Sequence, residues 1–156
     1  MLRIREAISD DMVHILERSV ETVWRDIPEH ERRGADYAKW RKMSIRVIEP
    51  VLKDRANKIF VAEDDSGGFA GYIVIGETKN MFSPAGYGFI YDLFVEEPFR
   101  RKGIASELLR TAERFCISRG LRAIKLEVAD NNAIAMRLYE KSGFRSERHF
   151  LGKRIE

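Results

Sequence analysis

The sequence predicts an α/β domain with a mixed central sheet, its elements in the order β-α-α-β-β-β-α-β-α-β. Three observations carry this. Apolar residues recur at helical spacing in some segments, and alternate with polar residues or run unbroken in others. The stretch Asp64-Asp65-Ser66-Gly67-Gly68 separates two apolar runs as a hairpin turn would. The apolar run 87–95 is followed by a helical pattern and then by another apolar run, the signature of a crossover between parallel strands.

The elements follow in order. Leu2 to Ala7 alternates Leu2 and Ile4 against Arg3 and Arg5, as a strand does. Ser9 or Asp10 can cap a helix reaching about Val23, with Val13, Leu16 and Val20 on one face. Residues 24–35 read as a polar loop. A second helix starts near Asp36 and presents Trp40, Met43 and Val47, and Pro50 is expected to end or kink it. Lys58–Glu63 and Phe69–Gly76 form the hairpin, and residues 77–86 a loop. Tyr87–Val95 is almost wholly apolar and reads as a central strand buried on both faces. Phe99–Arg119 is a helix with Ile104, Leu108, Ala112 and Phe115 inward and Gly120 at its end. Leu121–Val128 is a strand, Asn131 or Asn132 opens a helix ending at Gly143, and Phe144–Ile155 is extended.

Composition narrows the class. A chain of 156 residues is expected to be a single domain, residues 1–156, able to bury a core without staples. Cys116 is the only cysteine, which excludes an internal disulfide and fits a cytoplasmic protein. The N-terminus has no apolar signal core, and no window approaches the roughly 20 apolar residues of a membrane span. His14, His30 and His149 lie far apart, so no metal-ligand spacing exists and no metal is expected. The net charge of +3 tolerates a polyanionic ligand but does not call for nucleic acid or a membrane.

The most informative stretch is Val95-Glu96-Glu97-Pro98-Phe99-Arg100-Arg101-Lys102-Gly103-Ile104-Ala105-Ser106. It is a buried strand, a turn and a helix start. Gly103 and Ala105 remove bulk beside a run of free backbone N–H groups, which with the helix dipole bind phosphates. Arg100, Arg101 and Lys102 place cations where the dipole disfavours them, a conflict that a bound anion removes.

Here the chain resembles a family. Arg100-x-x-Gly103-x-Ala105, after a strand and before a helix, is similar to motif A of the GNAT acyltransferases, Gln/Arg-x-x-Gly-x-Gly/Ala. Asn132, Ala135, Leu138, Tyr139, Gly143 and Phe144 fill every position of the family's second motif, Asn-x-x-Ala-x-x-Leu-Tyr-x-x-x-Gly-Phe. The resemblance covers about residues 58–150 in detail; the first two helices match in layout. It implies an N-acetyltransferase that uses acetyl-CoA as cosubstrate, with the pyrophosphate held by the loop Arg100, Arg101, Lys102, Gly103, Ile104, Ala105 and Ser106. It implies that the backbone of Leu93, Phe94 and Val95 pairs with the pantetheine arm at a splay between parallel strands, and that Asn132 also contacts that arm.

The chemistry explains the residue types. An amine must lose a proton before it attacks, and a departing thiolate must gain one. Tyr139 resembles the family's general acid. Glu127 resembles a strand glutamate that acts as base in some members, notably ribosomal-protein N-terminal acetyltransferases. Asp92, an acid in an apolar run, is the competing base. The resemblance also puts the acceptor near the first two helices, with Trp24, Ile27, Tyr37 and Trp40 as candidate walls. Glu21, Asp26, Glu29 and Glu31 lie in or beside that stretch and can attract a cationic amine. The acceptor is a protein N-terminus, a lysine or a small amine. Alternatives are a longer acyl-CoA, or a non-catalytic acyl-CoA sensor. The sheet edge left beyond the segment Phe144–Ile155 is one a second subunit could cover, giving a homodimer.

Overall fold

The computed structural model describes residues 2–81 and 83–155. The elements are β1 (Arg3–Glu6), α1 (Met12–Asp26), α2 (Glu29–Arg32), α3 (Tyr37–Lys53), β2 (Lys58–Glu63), β3 (Phe69–Asn80), β4 (Ser83–Val95), α4 (Ile104–Ser118), β5 (Ile124–Leu126) and α5 (Ala133–Lys141), with short 3₁₀ turns before α1 and after β4. One sheet runs β1-β2-β3-β4-β5. Each of the first four strands is antiparallel to its neighbour, and β4 and β5 are parallel, as the crossover through α4 requires.

The sheet has a core on each face. One packs Ala62, Ile73, Ile75 and Ile90 against Ile104, Leu108, Leu109, Ala112 and Cys116 of α4. The other packs Ile59, Val61, Tyr72 and Val74 against Ile15 of α1 and Leu52 of α3. The i, i+4 spacing of Ile104, Leu108, Ala112 and Cys116 gives α4 its apolar stripe, and Gly120 at φ 71° stops it.

Several sequence expectations shift. The loop expected at 24–35 is largely helical: α1 runs on to Asp26, and α2 follows Pro28. The inward faces of both early helices are rotated. Val13, Met43 and Val47 are exposed, while Ile15, Ser19 and Val20 of α1 and Ser44 and Leu52 of α3 are buried. Helix α3 continues one turn past Pro50, whose missing N–H costs one bond near the helix end. Most of the loop expected at 77–86 is strand: β3 and β4 pair out to Asn80 and Ser83, and residue 82 lies outside the described residues. Strand β3, not β4, is the one covered on both faces, over Ala70–Gly76. Residues 144–155 form no strand, so the final β of the expected order is missing among the described residues.

Strand β4 is tied to both neighbours, yet unevenly. Its parallel pairing with β5 covers only Gly88↔Ile124, Phe89↔Lys125 and Ile90↔Leu126. Against β3 the register jumps between Val74↔Asp92 and Ile75↔Ile90, leaving Tyr91 as the extra residue of a β-bulge. The bulge bends β4, and from there to Val95 its outer edge has no partner strand.

Gly88 shows how tightly the paired part is packed. A Cβ at this position would sit 2.2 Å from Cys116 Sγ. Gly88→Ala is expected to cost about 1–3 kcal/mol through overpacking. Cys116→Ala in the same chain should return much of that loss, as a denaturant-unfolding double-mutant cycle would show; additive losses would place the strain elsewhere.

Candidate active site

The site lies where β4 and β5 part. Beyond Ile90 only alternate residues of β4, among them Leu93, direct backbone N–H and C=O groups to the gap, where no strand pairs with them, so an extended, amide-bearing ligand can supply the missing pairing. Beyond Val95 comes the loop to α4. Arg101 has φ 62° and Gly103 φ 79°, the left-handed conformation that turns successive N–H groups toward one point and forms an anion nest. A positive φ at a residue with a side chain is strained, and such strain gathers at functional sites. A Cβ on Gly103 would meet nothing within 4 Å, so the space above the helix start is open.

The three cations of the loop differ in role. Arg100 Nε donates to the Val95 carbonyl at 2.9 Å, and its guanidinium lies 5.8 Å from the centre of the Phe94 ring. It braces the turn. Lys102 Nζ lies 5.4 Å from the Phe99 ring centre, and both Arg101 and Lys102 are exposed at the open space. Glu96 holds the strand end to α1, accepting from Arg18 Nε at 2.7 Å and lying 2.7 Å from His14 Nε2. Burial alone would raise its pKa, but Arg18 and His14 outweigh that and hold it below the usual carboxylate range.

Asp92 faces α1. Its Oδ2 accepts from Ser19 Oγ and from Tyr72 Oη, each at 2.5 Å, and the two hydroxyl oxygens are 3.0 Å apart. Burial pushes the Asp92 carboxyl above the ordinary range; the two hydroxyls and the Leu93 N–H pull it partly back. Burial, then the charge of Asp92, lifts the Tyr72 phenol well above its usual value.

Across the gap, Asn132 caps α5 by accepting from the Ala135 N–H at 3.2 Å. Tyr139, two turns on, packs edge-on against Phe144 at 5.7 Å between centroids and joins the core on the α4 face. Its phenol is pushed up to about 12 by burial, then by the charges of Asp92 and Asp26. The phenol, Asp92 and the last residue of α1 therefore lie close enough for their charges to act on one another.

The structure thus gathers Leu93–Val95, the loop 100–106, Asn132, Tyr139 and Asp92 about one gap. Glu127 directly follows β5, which ends at Leu126, shorter than expected, and it is exposed. Trp24, Tyr37 and Trp40 pack on one another, with ring centroids 5.0, 4.7 and 5.9 Å apart, at the junction of α1 and α3. Ile27 is the half-buried cap of α1. Sequence reasoning missed Ser19 and Tyr72. Both carried a signal, a serine on the buried face of a helix and a tyrosine inside an apolar strand, since each must find a partner when buried. The bulge at Tyr91 had none.

The residues present fit a phosphate-bearing, amide-bearing ligand: a strained nest under open space, then unpaired strand backbone leading to a phenol and a carboxylate. Comparison with known proteins gives the family and the fold. Residues 10–144 match the model of the acetyltransferase (GNAT) family, and the chain belongs to that family. It is 30% identical to streptothricin acetyltransferase of Escherichia coli over 110 residues, 66% of this chain and 60% of that protein, so it spans less than two thirds of that relative's length. Among solved structures, one from Pyrococcus furiosus superposes with a TM-score of 0.85 at 24% identity, covering 99% of this chain and 100% of that one. AAC(6')-Iy, in complex with the bisubstrate analog CoA-S-monomethyl-acetylneamine, superposes with a TM-score of 0.66 at 20% identity, covering 100% and 99%. Those likenesses show the fold, a mixed α/β sheet with a parallel β4–β5 pair. Among the described residues no helix is long and apolar enough to cross a membrane, and no three metal-ligating side chains cluster.

Proposed function

We propose that the chain transfers the acetyl group of acetyl-CoA to a primary amine by direct attack. The observation that carries this reading is the gap opening after Ile90 and Leu126, with the nest at one end and Tyr139 and Asp92 beside it. Bound acetyl-CoA supplies the acyl carbon and a thiolate leaving group. The nest amides of residues 101–106 bind its pyrophosphate, with Arg101 and Lys102 adding charge, and Arg100 keeps the turn in place. The outward backbone groups of the Leu93–Val95 stretch pair with the pantetheine amides, and Asn132 faces the same arm.

Asp92 serves as the base. Its raised pKa brings it nearer the operating pH than an exposed carboxylate, which favours proton uptake. It takes the ammonium proton directly or through one water, the amine nitrogen bonds to the acyl carbon, the carbon–sulfur bond breaks, and Tyr139 gives its proton to the sulfur. Exposed Glu127 remains the competing base. The aromatic trio serves mainly to fix the end of α1, and with it Ile27, against α3. The relationship to streptothricin acetyltransferase supports a small-molecule amine as acceptor.

Thiol release from acetyl-CoA, measured against small polyamines, lysine peptides and peptides with free N-termini, tests this. Release with one acceptor class, lost in Asp92→Asn and kept in Glu127→Gln, is expected. Loss only in Glu127→Gln would move the base, and no release with any acceptor would favour a sensor that binds without turnover.

The raised pKa of Asp92 also has a stability sign. A carboxyl with a higher pKa folded than unfolded stabilises the protein least when ionised: the cost appears as pH rises from about 4, the unfolded value, through the folded one. Asp92→Asn, which still accepts from Ser19 and Tyr72, is therefore expected to melt higher than wild type at pH 7 and to lose that advantage near pH 4. Equal shifts at both pH values would refute the burial cost.

A further inference from the structure

Four acids lie in or beside the stretch from the end of α1 to α2, and the structure separates them. Glu21 Oε2 pairs with Arg18 at 2.8 Å, and Glu29 pairs with Arg33 at 3.1 Å on an open surface. Glu31 is exposed, 3.8 Å from His30. Asp26 differs. Its side chain is 28% exposed, and its nearest cation, Arg25, is 3.8 Å away, beyond hydrogen-bond length. The carboxyl turns instead toward the side chain of Asn132, across the gap, and its charge is felt by Asp92 and Tyr139.

Two further observations point to a cation there. Asp26 is the last residue of α1, where the negative end of the helix dipole disfavours a carboxylate and favours a positive charge. Positions 19, 22 and 26 share one helix face. Ser19 on that face binds Asp92, so Asp26, two turns further along α1, is carried on the side of the helix that meets Asp92.

We infer that Asp26 seats the ammonium group of the incoming acceptor, so that this chain selects cationic primary amines. The inference rests on the acetyl-transfer reading and deepens it. The gap is then electrically polar: a basic nest for the phosphates at one end, and a helix C-terminus bearing a carboxylate for the amine at the other.

Two coenzyme A conjugates test the seat whichever amine is the natural acceptor. S-(2-aminoethyl)-CoA carries an ammonium just beyond the sulfur, and S-ethyl-CoA ends there without charge. By calorimetry at pH 7 and low salt, wild type is expected to bind the aminoethyl conjugate about tenfold more tightly, the scale of one charge-assisted contact. Asp26→Asn should cut that preference to about twofold or less while keeping its affinity for S-ethyl-CoA, which also reports a folded site. Glu29→Gln, changing an acid outside the gap, should keep the full preference. Binding of S-ethyl-CoA with no ammonium preference in wild type, or an Asp26→Asn preference equal to wild type, overturns the inference and leaves the cofactor site standing. Failure of wild type to bind S-ethyl-CoA removes the cofactor site and this seat together.

Discussion

Gly103→Glu is expected to bind acetyl-CoA at least about 100-fold more weakly than wild type, through two additive penalties. The first is conformational. Gly103 sits at φ 79°, and a residue with a Cβ pays about 1–2 kcal/mol to stay there, or rotates and breaks the nest. The second is charge: a carboxylate grows into the open space above the helix start, where the phosphates are expected to lie. Gly103→Ala isolates the first penalty. Nothing crowds its methyl group, so the loss should be about tenfold or less. Calorimetry with acetyl-CoA separates the two variants. If Gly103→Glu keeps wild-type affinity, the phosphates bind elsewhere, and with them the reading of Arg101 and Lys102 fails.

Tyr139→Phe should lower kcat by about 10²–10³, the range of a positioned general acid, and change acetyl-CoA affinity little. The ring packs against Phe144 and the α4-side core, and phenylalanine keeps that packing, so loss of fold is not expected to blur the result. Burial and the nearby carboxylates push the phenol up to about 12, so the proton is in place throughout the neutral and mildly alkaline range. Any alkaline fall in wild-type kcat below pH 10 then belongs to another group. Single-turnover acetyl transfer in the variant, with the acceptor found by thiol release, checks the assignment; wild-type rates would end it.

Some of this was legible in the chain itself, and the division has physical causes. Local turn chemistry at Asp64–Gly68, the Asn132 cap and the stripe of α4 were readable because short-range geometry decides them. The loop 100–106 and Tyr139 stood out because their residue types recur at the fixed spacings of two family motifs, and the phosphate and proton roles given to them are proposals. The faces of α1 and α3 were not, because Val13, Met43 and Val47 are apolar yet exposed, while Ser19 and Ser44 are buried. Periodicity ranks hydrophobicity, and here a hydroxyl partner for Asp92 took a core position. The partnership of Asp26 with Asn132 joins residues more than a hundred positions apart, and no local pattern reports it.

The extra residue at Tyr91 also interrupts the alternation of its strand. Side chains alternate along a strand, so Ile90 and Asp92 should share a face. Ile90 instead packs toward α4, while Asp92 meets the hydroxyls of α1. The insertion reverses the parity of everything that follows it. Deleting Tyr91 would make Ile90 and Asp92 neighbours on opposite faces, as their β3 partners Ile75 and Val74 already require, so the carboxylate would stay toward α1 while the backbone straightened toward β5. The added residue therefore shapes the gap alone, and the direction of the carboxylate is set by its partner on β3, so shape and proton chemistry are separable by a one-residue deletion.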